Sequence, residues 1–149
     1  MAGDKPPFKI LASLADEMHA NFSPDGKLIA YTSNESGRFE VYVQTIPPSE
    51  KKWQVSTNGG YEPRWRGDGR EIYYLSEDRK VMAVAAAPGP SFGLPRPLFQ
   101  TRVSTTVIAN HTHYVPSRDG QRFLVNNETG DAAAPRINVI LNWTAALNK

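Results

Sequence analysis

The stretch FSPDG at residues 22–26 recurs twice in altered form, as WRGDG at 65–69 and as VPSRDG at 115–120. The Asp-Gly pairs lie 43 and 51 residues apart, and each is followed by an apolar run typical of a β-strand. Because Asp and Gly tolerate the positive φ angles of tight turns, the pair indicates a turn rather than a metal ligand or catalytic group. A strand-rich repeat of about forty to fifty residues predicts the blades of a β-propeller.

The segments around these turns predict four strands in each of the first two repeats and three in the last. The blades are expected at about 14–60, 61–110 and 111–149 of a single propeller region over 1–149, with 8–13 as an edge strand that completes a last blade. The alanine-rich run 81–86 also fits a helix, although the following prolines keep it short. The predicted strands after the first turn are 28–33, 39–44, 53–56, 62–65, 71–75, 81–86, 97–100, 112–115, 122–126 and 137–143.

The expected fold is therefore all-β, a propeller with three four-stranded blades per chain. Propellers usually have four to eight blades, and an open arc exposes apolar faces and unpaired strand edges. Two copies related by a two-fold axis would complete a six-bladed ring, with strand 8–13 of one copy pairing with 137–143 of the other. The alternative is that the chain is a piece of a larger propeller.

The repeats at 22–44 and 53–75 resemble the TolB-like, WD40-like propeller repeats of bacteria. The stretches RDGQRFLVNN at 118–127 and INVILNWTAAL at 137–147 are similar to the end of propeller regions attached to certain bacterial serine/threonine kinases. The second repeat departs from the pattern, since Gly67 replaces the proline of the motif. The resemblance implies a fold and a binding role, and the related propellers of prolyl-oligopeptidase-like enzymes leave catalysis to a separate domain.

Composition bears on partners and compartment. The 149 residues carry 17 basic and 15 acidic side chains, for a net charge of +2, and no long basic run predicts nucleic-acid binding. No apolar stretch approaches the roughly 20 residues that span a bilayer, and the first residues, MAGDKPPF, lack a secretion signal. We expect a soluble chain without a membrane partner, cytoplasmic as given and periplasmic if it is a fragment or a mature form. The absence of cysteine excludes disulfides, thiol nucleophiles and Cys-ligated zinc.

Histidines are the first candidates for chemistry. His19 and His111 precede Phe22 and Tyr114 by three residues, as Glu62 precedes Trp65, which places all three at one mouth of the central channel. In a two-fold dimer they would form a ring of four imidazoles and two carboxylates, joined by His113 on the same strand face as His111. Such a ring is suited to a divalent metal held by His19, His111 and His113, or to an anionic or peptide ligand. The plainer interpretation is a set of polar residues lining a wet channel, with no cofactor.

Charged side chains offer a second binding hypothesis. Arg64 and Arg66 flank Trp65, where they either bind an acidic peptide or pair with neighbouring Glu62 and Asp68. The remaining carboxylates are expected on solvated surfaces: Glu35, Glu40, Glu77 and Asp78.

The sequence contains no GxSxG, GxxxxGK, GxGxxG or HExxH motif. The function predicted best is a non-catalytic propeller scaffold that binds a protein or peptide, with a second copy as one partner. The alternatives are a metal-dependent hydrolase or lyase that uses the channel histidines, and the sensor part of a larger kinase-linked protein.

Overall fold

The structure is a computed structural model that describes residues 6–11, 13–104, 111–128 and 136–141. Its strands form three antiparallel sheets, and the described residues contain no helix, hence none that could cross a membrane. The first sheet has the order β1-β2-β3-β4, the second β5-β6-β7-β8 with β9 also paired to β7, and the third β10-β11-β12. The strands are β1 (Glu17–Phe22), β2 (Leu28–Ser33), β3 (Glu40–Thr45), β4 (Lys52–Gln54), β5 (Tyr61–Trp65), β6 (Glu71–Leu75), β7 (Lys80–Ala87), β8 (Ser91–Phe92), β9 (Arg96–Gln100), β10 (Tyr114–Pro116), β11 (Arg122–Asn127) and β12 (Arg136–Leu141).

Each Asp-Gly pair forms the turn between the first two strands of its sheet. In the first turn the Asp25 carboxylate accepts hydrogen bonds from the Ser23 hydroxyl at 2.7 Å and the Lys27 backbone N–H at 3.1 Å. Gly26 has a φ of 69°, in the left-handed region where glycine is favoured. The third turn repeats the arrangement, since Ser117 donates to Asp119. The repeated sequence therefore encodes a repeated turn, as the pattern predicted.

The three sheets pack face to face, with the second in the middle. Of the residues on β6, Ile72 and Tyr74 pack with the first sheet, whereas Tyr73 and Leu75 pack with the third. The Tyr73 and Phe123 rings meet edge to face, with centroids 5.1 Å apart. Both faces of the second sheet are thus buried, which explains why its strands do not alternate between apolar and polar residues.

The outer face of the first sheet is covered by the segment that precedes it. Ile29, Tyr31 and Tyr42 form a buried cluster on this face, and Ile10 and Leu11 pack against it. Within the single chain, residues 8–11 and 13 form no strand. Pairing of 8–13 with the last strand of a second copy stays a prediction, and part of that last segment, residues 142 and 143, lies outside the described residues.

Candidate functional site

The first strands of two sheets contain equivalent irregularities. In β5 the pairing register with β6 shifts between Tyr61 and Arg64, and Glu62 in this bulge has a φ of 54°. In β1 the register shifts between Met18 and Asn21, and His19 has a φ of 56°. A left-handed conformation costs about 1–2 kcal/mol in a residue with a side chain. The fold therefore holds His19 and Glu62 at matching strained positions, each six residues before the Asp of its turn.

Glu62 connects all three sheets. Its backbone N–H donates to the Thr32 hydroxyl of the first sheet at 3.2 Å, and its carbonyl accepts from the Tyr114 hydroxyl of the third sheet at 2.9 Å. Its carboxylate accepts the backbone N–H of His113 at 2.9 Å through Oε2 and contacts His113 Nδ1 through Oε1. Glu62 is fully buried and His113 nearly so. A buried carboxylate is tolerated only when it is hydrogen-bonded, and here both oxygens are used.

The contact with Glu62 fixes the orientation of the His113 ring. With Nδ1 as the donor to the carboxylate, Nε2 is the ring's second polar atom. The ring also makes edge contacts with Tyr61 and His111, with centroids 6.4 Å and 5.7 Å away. Burial raises the pKa of Tyr114 well above its ordinary value, so its hydroxyl remains a neutral donor to Glu62. This arrangement holds the second and third sheets together.

The exposed part of the site is a rim formed by Arg64, His111 and Thr112. Arg64 donates long hydrogen bonds of 3.4 Å to the Thr112 hydroxyl and the Pro63 carbonyl. Within the described ranges no carboxylate lies within 4.0 Å of the Arg64 guanidinium, so the expected pair with Glu62 does not form. The rim therefore carries a positive charge without a described counter-ion.

Arg66 differs from Arg64, although both flank Trp65. It forms ion pairs at 3.4 Å with Asp68, as one of the two expectations had it, and at 3.4 Å with Glu71. Glu71 in turn accepts from Arg96 at 2.5 Å. Arg66 is consequently part of a structural network rather than of the rim.

Register places His113, rather than His111, at the position of His19 and Glu62. Phe22 pairs with Ile29, Trp65 with Ile72 and Pro116 with Phe123, so Pro116 is the equivalent of the two aromatic residues. The alignment of Tyr114 with Phe22 and Trp65 was displaced by two residues. Because residues two apart share a strand face, an aromatic match cannot distinguish these registers.

The candidate metal ligands do not form a complete site with other described residues of the same chain. Among the described residues, no group of three or more His, Asp or Glu side chains is arranged to hold a metal ion. His111 and His113 are neighbours, but Glu62 is already engaged by His113. A metal held by His19, His111 and His113 would thus need ligands beyond the described residues of one chain.

Sequence reasoning placed Glu40 on a solvated surface, and the structure corrects this. Glu40 is 1% exposed and accepts hydrogen bonds from Arg38 Nε at 2.7 Å, from the Gly59 N–H at 3.0 Å and from the Ser56 hydroxyl. It joins β3 to the loop before β5. Its position at the start of an alternating strand gave no signal, because its partners lie 16 and 19 residues further along the chain.

A cleft lies beside the Asp-Gly turns of the first two sheets. Its volume is about 870 Å³, and Pro24, Trp65 and Phe92 contribute apolar surface to it. Lys27 and Arg118 contribute charge. The cleft is distinct from the rim, since Arg64, His111 and Thr112 are not among the residues that line it.

Comparison with known proteins identifies the fold. The chain has a TM-score of 0.59 with TolB from Acinetobacter baumannii, at 18% identity, covering 84% of this chain and 30% of that one. With a putative TolB from Agrobacterium tumefaciens the TM-score is 0.60 at 17% identity, covering 91% and 48%. An oligogalacturonate lyase in complex with manganese gives a TM-score of 0.52 at 16% identity, covering 70% and 26%. The fold is thus that of TolB-like β-propellers, as the repeats indicated.

No protein-family model matches the chain. Among curated proteins, dipeptidyl-peptidase 5 from Trichophyton equinum and from Trichophyton tonsurans are each 34% identical over 82 residues. The match covers 50% of this chain and 10% of each relative, so the chain spans about a tenth of the length of these proteins.

Proposed function

We propose that this chain, with the fold of TolB-like β-propellers, is a non-catalytic binding module that takes an acidic peptide segment at its rim. The single observation that supports the proposal is that, among the described residues, the carboxylate of the site is paired whereas its guanidinium is not. Both oxygens of the Glu62 carboxylate contact His113, whereas the guanidinium of Arg64, two residues further along β5, has no described carboxylate partner. A guanidinium binds carboxylates through planar, paired hydrogen bonds, and His111 and Thr112 add exposed donors beside it.

The proposal is tested by fluorescence anisotropy with a labelled peptide of alternating glutamate and alanine, and with its lysine counterpart. The acidic peptide should bind, more weakly as salt is raised, and Arg64→Ala should weaken it about tenfold, a typical loss for one charge-assisted contact. Lys27→Ala, which removes a charge from the cleft rather than from the rim, is the matched control. Equal binding by both variants, or equal binding of both peptides, would overturn the proposal.

The module also completes its ring with a second copy. Support comes from the three described sheets, fewer than the usual four to eight blades, and from β12, whose outer edge has no partner among the described strands. In this arrangement residues 8–13 of one copy add a fourth strand beside β12 of the other. Light scattering over a range of concentrations should give twice the 16.5 kDa of one chain. A single chain at every concentration would contradict it.

A metal-dependent hydrolase or lyase is the second candidate. It is favoured by the two histidine rings 5.7 Å apart beside Glu62, and by the fold shared with the manganese-bound oligogalacturonate lyase. The described residues of one chain do not supply a complete ligand set. If a metal binds across two copies, manganese or zinc should raise the melting temperature, and His111→Ala should abolish the rise. Unchanged melting at saturating metal would exclude this candidate.

A further inference from the structure

The third sheet has an apolar outer face. Val115, Leu124 and Val139 lie side by side on its three strands, because Val115 pairs with Leu124 and Leu124 with Val139. Their exposed fractions are 47%, 41% and 59%, whereas Phe123 and Val125 on the opposite face are fully buried against the second sheet. We call Val115, Leu124 and Val139 the outer patch. Exposed apolar residues in a contiguous row are typical of an interaction surface.

The strand register shows that the outer patch matches positions that form the two sheet-to-sheet contacts within the chain, first sheet with second and second with third. Leu124 and Val139 occupy the positions of two other cross-strand pairs, Ala30 with Val43 and Tyr73 with Ala83. All four residues of those pairs are fully buried, because the next sheet along the chain covers them. The outer patch therefore has the position, and the apolar character, of a face that a following sheet covers.

The complementary face exists at the other end of the stack. Ile72 and Tyr74 face the sheet before their own, as do Phe123 and Val125. Ile29 and Tyr31 hold the same positions in the first sheet, counted from the Asp-Gly turn. The chain thus carries both halves of one more sheet-to-sheet contact, with Ile10 and Leu11 packed beside the first-sheet half.

We infer that the outer patch docks against the first sheet of a second copy of this chain, with Ile10 and Leu11 of that copy as part of the contact. The inference rests on the proposed self-association and names its surfaces. The occupant is identified by continuity, since the contact continues a series of two contacts that use the same strand positions. Each chain offers one outer patch and one first-sheet face with Ile10 and Leu11 on it, so two copies placed head to tail around a two-fold axis satisfy both.

The test is the oligomeric state of Leu124→Glu and Val139→Glu, measured by sedimentation velocity over a concentration series. Each variant should weaken association at least tenfold, because a carboxylate would be buried in the contact without a partner. Leu94→Glu is the matched control, since Leu94 is 88% exposed outside the patch, and it should associate like the native chain. Far-ultraviolet circular dichroism confirms that the variants remain folded.

Crosslinking tests the same contact through a product that forms, rather than through weaker association. The native chain contains no cysteine, so a Leu124→Cys chain mixed with a Leu11→Cys chain should form a disulfide-linked pair under oxidation. Leu124→Cys mixed with Leu94→Cys should not. A native chain that never associates would refute the self-association itself. A native dimer that Leu124→Glu leaves intact, and that gives no Leu124–Leu11 crosslink, would instead overturn the surface assigned here.

Discussion

Glu62 is a residue whose charge serves structure. It is fully buried, and its carboxylate accepts both the backbone N–H and the ring Nδ1 of His113. Burial of an ion without such partners destabilises the folded state, and deletion of one partner from a buried pair destabilises it for the same reason. The residue that sequence reasoning placed at a channel mouth is therefore also the connection between the second and third sheets.

Glu62→Ala should lower the free energy of unfolding by about 3 kcal/mol, because two buried donors lose an acceptor at a cost of about 1–3 kcal/mol each. Urea denaturation followed by tryptophan fluorescence measures the change. Glu35→Ala is the control, since it breaks the partly exposed ion pair with Lys52 and should cost at most about 1 kcal/mol. Equal losses in the two variants would show that the buried connection contributes little.

Asp25 predicts a pH dependence. The hydrogen bond from Ser23 is the main reason why its pKa lies below the ordinary 3.8, and the Lys27 N–H adds to the effect. A folded-state pKa below the unfolded one stabilises the fold above about pH 3.8, and this contribution is lost as the pH falls through the lower, folded value. Ser23→Ala should raise the pKa of Asp25 in a carbon-13 titration of its carboxyl group. Ser117→Ala should raise the pKa of Asp119 and leave the pKa of Asp25 unchanged.

At the scale of elements, the sequence predicts the turns but not the bulges. An Asp-Gly pair indicates a turn because few residues adopt a positive φ angle without a steric cost. The bulges at His19 and Glu62 have no such residue, because the surrounding sheet holds the backbone of both residues in the left-handed region. The sequence alignment placed His111 where the strand register places His113, because an aromatic match cannot distinguish residues two apart on one strand face.

Two glycines at equivalent turn positions differ only in their surroundings. Gly26 and Gly120 have φ angles of 69° and 70°, but a Cβ on Gly120 would lie 2.1 Å from the Tyr73 hydroxyl, and one on Gly26 would have nothing within 4 Å. Gly26→Ala should cost about 1 kcal/mol through backbone strain alone. Gly120→Ala should cost about 1–3 kcal/mol more through overpacking. Equal melting temperatures for the two variants would contradict this view of the turn.

At the scale of the whole molecule, stability depends on what covers the two ends of the stack of sheets. The first sheet is covered by Ile10 and Leu11, while the residues of the outer patch of the third sheet are 41% to 59% exposed. A stack of sheets buries apolar residues on both faces of every inner member, whereas the outer face at each end needs a cover from outside the stack. In the proposed dimer, the contacts at the two ends would therefore contribute both to the stability of the fold and to the association of two copies.

Replacing both Ile10 and Leu11 by Ser should lower the free energy of unfolding by about 2 kcal/mol, from the apolar area returned to water around Ile29 and Tyr31. Phe8→Ser is the control, because Phe8 is 58% exposed, and it should change little. Chemical denaturation at a fixed low concentration measures both. Deletion of residues 1–13 should also weaken the dimer, and an equally tight truncated dimer would argue against strand exchange.

The sequence by itself determined the Asp-Gly turns, the main strands and the propeller fold, but not the short strand β8, which makes the second sheet five-stranded. These features depend on neighbours along the chain, through positive φ at Asp-Gly and apolar runs of strand length. Only the tertiary structure decided that Glu62 holds His113, that Glu40 is buried and that Arg66 is paired whereas Arg64 has no described carboxylate partner. The physical reason is that burial and pairing of a charge depend on groups brought together across sheets, 51 residues apart for Glu62 and His113.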